Sequence, residues 1–167
     1  MNQPTAITSD APSRDRRITR RFRSSPRILL ADDYVSLLTA VKRLLEQSGY
    51  DVMAMARTGA QAIEVAARLR PDVAVVDVRL PDLDGLEVCR HLAAVAPDTR
   101  VVLCTAADDP DIKRRAFELG ACGFVLKYRT GSDLVSAIER ALLTRAKRRG
   151  AVSDHVNHSA GAGAETP

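Results

Sequence analysis

Four continuous apolar runs along the chain each end abruptly in a polar residue. Ile28-Leu29-Leu30-Ala31 runs into Asp32-Asp33, Val73-Ala74-Val75-Val76 into Asp77, Val101-Val102-Leu103-Cys104 into Thr105, and Phe124-Val125-Leu126 into Lys127. Runs of this length that do not alternate read as parallel strands covered by helices on both faces. A fifth run, Val52-Met53-Ala54-Met55, is flanked by polar residues and reads as an edge strand.

Between the runs the apolar period changes to that of a helix. Val35, Leu38, Val41 and Leu45 share a stripe over 35–47, which Gly49 ends. Thr58-Gly59-Ala60-Gln61 resembles a capping box, opening a helix with Ala62, Ile63, Ala66 and Leu69 on one face, closed by Pro71. Pro81-Asp82-Leu83-Asp84-Gly85 is a turn-rich loop, with Asp84 placed to cap a helix reaching about Val95. Asp109-Pro110 is an N-cap followed by proline at the first helical position, and that helix ends at Gly120. Phe117 is expected to face the core. Ser132 or a neighbour caps the last helix, whose inner stripe is Leu134, Ile138 and Ala141 and whose end is basic.

Five strands alternating with five helices predict an α/β fold with a doubly wound parallel sheet. The run at 73–78 is the most apolar and hence central. The strand order 2-1-3-4-5 puts a crevice between strands 1 and 3, where Asp32, Asp33 and Asp77 end. Ligands of such sheets bind outside the carboxyl ends of the strands, so four distant segments contribute to one polar site.

Composition bounds the rest. The chain has 167 residues, 46% of them hydrophobic and 28% charged, which suits one domain with tails. No stretch approaches eighteen apolar residues and no apolar signal core opens the chain, so membrane insertion and secretion are not expected. The three cysteines lack metal-type spacing and fit a reduced, cytoplasmic compartment, with Cys104 a buried thiol. The net charge of +4 hides an asymmetry: residues 1–26 carry +4 and 145–167 carry +2, leaving the centre mildly acidic. The expected organisation is a disordered basic arm over 1–26, a folded domain over 27–147 and a disordered tail over 148–167.

Carboxylates brought together at 4 Å repel by about 4 kcal/mol per pair at an effective dielectric constant of 20. Protonation or a bound cation relieves this, and an oxygen-rich aspartate cluster suits Mg²⁺. Asp33 also lies close enough to the next helix to cap it instead. A cation beside an ammonium and a hydroxyl is a layout for phosphoryl transfer. No GxxxxGK[ST] or GxGxxG loop is present, so a nucleotide is not the expected direct ligand. An aspartate nucleophile is then the natural candidate.

The segments Ile28–Asp33, Val75–Gly85, Thr105-Ala106 and Gly123–Lys127 together resemble the receiver domain of bacterial two-component response regulators, and most closely receivers of the LuxR-type class. The resemblance covers residues 27 to about 145. It implies a flavodoxin-like (βα)5 fold in which Asp77 accepts a phosphoryl group from a histidine kinase in a phosphorelay. It further implies that Asp32, Asp33, Asp77 and the backbone carbonyl of Arg79 hold Mg²⁺ or Mn²⁺. Lys127 would pair with the phosphoryl group and Thr105 would swing in to bond it. Ala106 would leave room for it, and Phe124 would turn inward on activation. Such a protein is not an enzyme beyond Mg²⁺-dependent self-phosphorylation and slow self-dephosphorylation. Its outputs would be protein contacts of the helix 4–strand 5–helix 5 face, with an unknown output partner or a second copy.

Two departures from the pattern stand out. Arg79, two residues past the acceptor, is a bulky cation expected to alter phosphoryl lifetime. Only about 20 residues follow the last helix, too few for a helix-turn-helix domain, so a stand-alone receiver is expected. The arginines at 14, 16, 17, 20, 21 and 23 allow an alternative reading as a DNA-associated regulator, but only Phe22 interleaves them and nucleic acid gains little support. A phosphorylation-independent pseudo-receiver is a further alternative, opposed by the intact Asp32, Asp33, Asp77, Thr105 and Lys127 set.

Overall fold

The computed structural model describes residues 25–152, with side chains up to Thr144. Nearly all of the arm expected over 1–26, and the tail from 153 onward, lie outside the described residues. Five strands, β1 (Arg27–Ala31), β2 (Asp51–Ala56), β3 (Val73–Asp77), β4 (Arg100–Thr105) and β5 (Gly123–Leu126), form one sheet of order β2-β1-β3-β4-β5. All neighbouring pairs are parallel. The helices between and after them are α1 (Val35–Gln47), α2 (Gly59–Leu69), α3 (Gly85–Val95), α4 (Pro110–Glu118) and α5 (Thr130–Val152). The fold class and strand order are those expected, and α5 runs past the boundary expected at 147.

The continuous apolar runs follow from a sheet with two covered faces. Ile28, Leu30, Val73, Val75, Val102 and Cys104 point into one core with α1 and α5. Their alternates, Leu29, Ala31, Ala74, Val76, Val101 and Leu103, point into the other with α2, α3 and α4. Every residue of β3 and β4 is buried, whereas the edge strand β2 is exposed at Asp51 and Met55. Arg27 secures the first strand at its base, its amide bonding the Asp72 carboxylate at 3.0 Å and its guanidinium the Leu69 carbonyl at 2.8 Å.

Helix starts mostly follow the expected chemistry. Thr58 caps α2 by accepting from the Gln61 amide, Asp84 caps α3 through Leu86, and Asp109 caps α4 through Asp111. Three expectations need correction. The last helix starts at Thr130 after a 3₁₀ turn over Lys127–Arg129, so Ser132 lies inside its first turn and donates to the Arg129 carbonyl. Phe117 is 47% exposed, because Ala116 takes the innermost position of α4. Val35 likewise is 53% exposed, at the outer start of the α1 stripe.

Gly85 sets how closely α3 approaches the end of β3. Its amide donates to the Val78 carbonyl at 2.8 Å. A Cβ there would collide with the Asp77 carbonyl oxygen and lie 2.8 Å from Val78 Cα, both of them backbone atoms that cannot rotate away. Gly85→Ala is therefore expected to destabilise the protein by about 1–3 kcal/mol through overpacking, although alanine is the better helix former by about 1 kcal/mol. Urea unfolding checks this, and a neutral or stabilised variant would contradict the close approach.

Candidate functional site

The strand register brings the polar ends together. Ala31 pairs with Val76, so the residues that follow them, Asp32 and Asp77, leave adjacent strands side by side. Thr105 pairs with Leu126 on β4 and β5, placing Lys127 one step beyond. Asp32, Asp33 and Asp77 each offer a carboxylate oxygen within 4.8 Å of the others. Asp77 is 4% exposed and Asp32 6%, while Asp33 is open to solvent. Lys127 Nζ lies 2.7 Å from Oδ2 of both Asp32 and Asp77. Beneath them is an apolar hollow lined by Leu38, Val75, Cys104 and Leu134.

Further bonds fix the carboxylates. The amide of Asp32 donates to the Ala56 carbonyl at the end of β2, at 3.1 Å. Asp32 Oδ1 accepts from the Tyr34 amide at 2.9 Å. The aspartate bonded to the approach of α1 is therefore Asp32, and Asp33 turns its oxygen into the cluster. Burial raises the Asp77 carboxyl above its ordinary range, opposed by the bond and charge of Lys127 and by the Arg79 amide, with Asp32 adding to the rise. Burial pulls the Lys127 ammonium down, yet its bonds to Asp32 and Asp77 outweigh that and hold it above the usual lysine value. The Cys104 thiol is pushed up to about 12, first by burial and then by Asp77, and stays an uncharged wall.

The other expected residues sit around this centre. Thr105 is 1% exposed, and its hydroxyl accepts from the Ala107 amide at 3.3 Å. Ala106 is exposed beside it. Phe124 is half-buried against the core on the α3–α4 side. Arg79 extends its side chain to solvent, and its main chain pairs with Asp84 in an antiparallel bridge. One participant was not foreseen: Asp82 bonds the start of α2 across 23 residues of chain, a span over which sequence spacing carries no signal. Of the three histidines, His91 lies on α3 beside Arg90, while His155 and His158 fall outside the described residues.

The donor set suits a small, hard divalent cation. It supplies three carboxylates, two of them buried, against a single ammonium, and all the facing donor atoms are oxygens. Asp32, Asp33 and Asp77 would hold such an ion, sharing with Lys127 the oxygens it now occupies.

A doubly wound parallel sheet with an acidic cluster and a lysine at the carboxyl ends of its strands defines the class of this protein as an α/β domain with an aspartate-rich site. The chain belongs to the response regulator receiver domain family, whose model matches residues 28–139. It is 34% identical over 116 residues to a putative transcriptional regulator of Pseudomonas aeruginosa, covering 70% of this chain and 56% of that one. It is 28% identical to the chemotaxis protein CheY of Listeria monocytogenes, covering 69% of this chain and 97% of CheY. Among solved structures, a LuxR-family two-component response regulator from Aurantimonas matches with a TM-score of 0.69 at 31% identity, over 76% of this chain and 99% of that one. The chain spans about half the length of the first curated relatives it matches. Among the described residues no helix is long and apolar enough to cross a membrane.

Replacing Lys127 by alanine would leave two buried carboxylates facing each other without their ammonium. The expected loss is about 3 kcal/mol in the presence of a chelator, as for a broken buried pair. Millimolar Mg²⁺ should then raise the melting midpoint of Lys127→Ala more than that of wild type, because the cation no longer competes with the ammonium and binds the native state selectively. Thermal melts with and without Mg²⁺ check this, and equal shifts in both proteins would contradict it.

Proposed function

We propose that this protein receives a phosphoryl group on Asp77 from a histidine kinase and uses it to switch protein contacts. The observation that carries the reading is the joint placement of Asp77 with Asp32, Asp33 and Lys127 at one end of the sheet. In the transfer, an Asp77 oxygen attacks the phosphorus of a phosphohistidine. The P–N bond breaks as the new P–O bond forms, and the electron pair and a proton go to the imidazole. A bound Mg²⁺ or Mn²⁺ would neutralise charge on the phosphoryl oxygens as they pass between donor and acceptor. Lys127 is already bonded to the acceptor and exchanges a carboxylate oxygen for a phosphoryl oxygen. Asp32 keeps the other side of the ammonium anchored.

Phosphorylation adds roughly −1.5 to −2 charge and three strong acceptors at Asp77. Thr105 and Lys127 read that charge, biasing a two-state arrangement of the α4–β5–α5 face. Support for that face as the output surface comes from Phe117 on α4 and Leu143 on α5, both 47% exposed. An output protein or a second copy of the chain would cover it. A cytoplasmic setting accompanies the reading. The DNA-associated alternative rests on the basic arm, which lies outside the described residues.

Two outcomes test the proposal. Incubated with acetyl phosphate and Mg²⁺, wild type should gain one hydroxylamine-labile phosphoryl group by intact mass, and Asp77→Asn none; an unmodified wild type would refute the reading. Arg79 stands two residues past the acceptor with its side chain in solvent, and a long cation there could turn back toward the phosphoryl group or attacking water. Arg79→Ala should change the dephosphorylation rate severalfold, followed by loss of the adduct over time, and an unchanged rate would remove Arg79 from the account.

A further inference from the structure

The loop between β3 and α3 is fixed at its neck and at its tip. At the neck, Arg79 pairs with Asp84, and the Gly85 amide donates to the Val78 carbonyl at 2.8 Å. At the tip, Asp82 reaches across to a different helix. Its Oδ1 accepts from the Gly59 amide at 2.7 Å and its Oδ2 from the Ala60 amide at 2.9 Å, the first two residues of α2. Oδ1 also takes the Leu83 amide of its own loop at 2.9 Å. These bonds, that from Ala60 foremost, hold the carboxyl below its ordinary range even though it is exposed. Apolar packing runs alongside: a Cβ on Gly59 would lie 2.8 Å from Leu83 Cβ and 2.8 Å from Val88 Cγ2, so loop and helix are in close contact.

The two elements joined in this way lead to opposite sides of the cation cluster. Helix α2 follows directly from β2, whose last residue, Ala56, accepts the Asp32 amide at 3.1 Å. On the other side, Arg79 lies two residues past Asp77 at the end of β3, where its amide lowers the pKa of the Asp77 carboxyl. A path therefore runs from Asp32 across its bond to Ala56, along the chain to the first turn of α2, across Asp82 to the loop, and through the Arg79–Asp84 bridge and the chain back to Asp77. Both oxygens of Asp82 are engaged where that path passes from α2 to the loop.

We propose that Asp82 is a positioning residue for the cation and phosphoryl site, hooking the tip of the β3–α3 loop onto the first turn of α2 and so holding the Arg79 main chain beside Asp77. The inference rests on the reading of the site given above. Asp82 itself touches neither cation nor phosphoryl group. Outer residues that orient ligands commonly change metal affinity about 10–100-fold, and a residue one step further out should act more weakly.

Thr58 supplies the control. Its hydroxyl caps the same helix by accepting from the Gln61 amide at 3.1 Å and has no bond to the loop. Thr58→Ala thus weakens α2 without releasing the hook. Asp82→Asn keeps one acceptor oxygen, and Asp82→Ala keeps none. Mg²⁺ is titrated calorimetrically into the full chain of each variant and of wild type, at a temperature where all are folded, and amide exchange is followed over 57–60 and 79–85. The expected result is a Kd for Mg²⁺ raised about 3–10-fold in Asp82→Ala, by less in Asp82→Asn, and unmoved in Thr58→Ala. Faster exchange should appear in both segments of the Asp82 variants. Phosphorylation by acetyl phosphate should slow at limiting Mg²⁺ and recover at saturation. A Kd unchanged by either Asp82 substitution, or raised equally by Thr58→Ala, would overturn this inference alone. A wild type that binds no Mg²⁺ would overturn the reading of the site and the inference with it.

Discussion

One ammonium between two buried carboxylates governs the end of the sheet on which the rest depends. At 2.7 Å from each oxygen, Lys127 attracts Asp32 and Asp77 by roughly 6 kcal/mol apiece at an effective dielectric constant of 20. Desolvation of three ions takes back several kcal/mol for each. That attraction opposes the repulsion between two carboxylates that leave adjacent strands side by side. It does not saturate them, since Asp33 adds a third carboxylate and no further ammonium faces the cluster among the described residues. The cluster therefore retains negative charge to attract a cation.

The layout of the sheet and its helices explains which features were legible in the chain. The strands were readable because each must serve two cores, which removes alternation and leaves unbroken runs such as Ile28–Ala31 and Val73–Val76. The residues closing those runs were readable as a site because parallel strands all point their carboxyl ends the same way. Caps at Thr58, Asp84 and Asp109 were readable because their bonds are local. Ser132 was misplaced because Lys127–Arg129 form a 3₁₀ turn that brings the helix start forward to Thr130. Phe117 looked like core because helical periodicity marks a stripe without saying which member faces inward, and the small Ala116 took that place.

The devices that tune the site left no comparable trace. Gly85 could be seen to end a turn, but not to lie against the carbonyl of Asp77, because that contact depends on where α3 crosses β3. Asp82 resembled any turn aspartate, since its partners Gly59 and Ala60 belong to another helix 22 and 23 residues away. Local chemistry is written in spacing, whereas contacts between elements depend on packing geometry. The chemical residues of this site belong to the first kind and their supports to the second.

The resting geometry also apportions the proposed switch between its two readers. Lys127 begins with two short bonds, so taking a phosphoryl oxygen in place of an Asp77 oxygen yields only the difference between two charge-assisted contacts. Thr105 begins with a 3.3 Å bond from the Ala107 amide, beyond the usual length and hence weak. Its hydroxyl has little to lose and a charged acceptor to gain, worth about 1.5–3 kcal/mol. Reversing a 1:99 equilibrium takes about 5.5 kcal/mol. In the proposed switch, Thr105 and the increment at Lys127 would fall short of that sum, so the phosphoryl group alone would shift the α4–β5–α5 face only in part. The remainder would then come from whatever binds that face, and the proposed output would depend jointly on phosphorylation and on the partner.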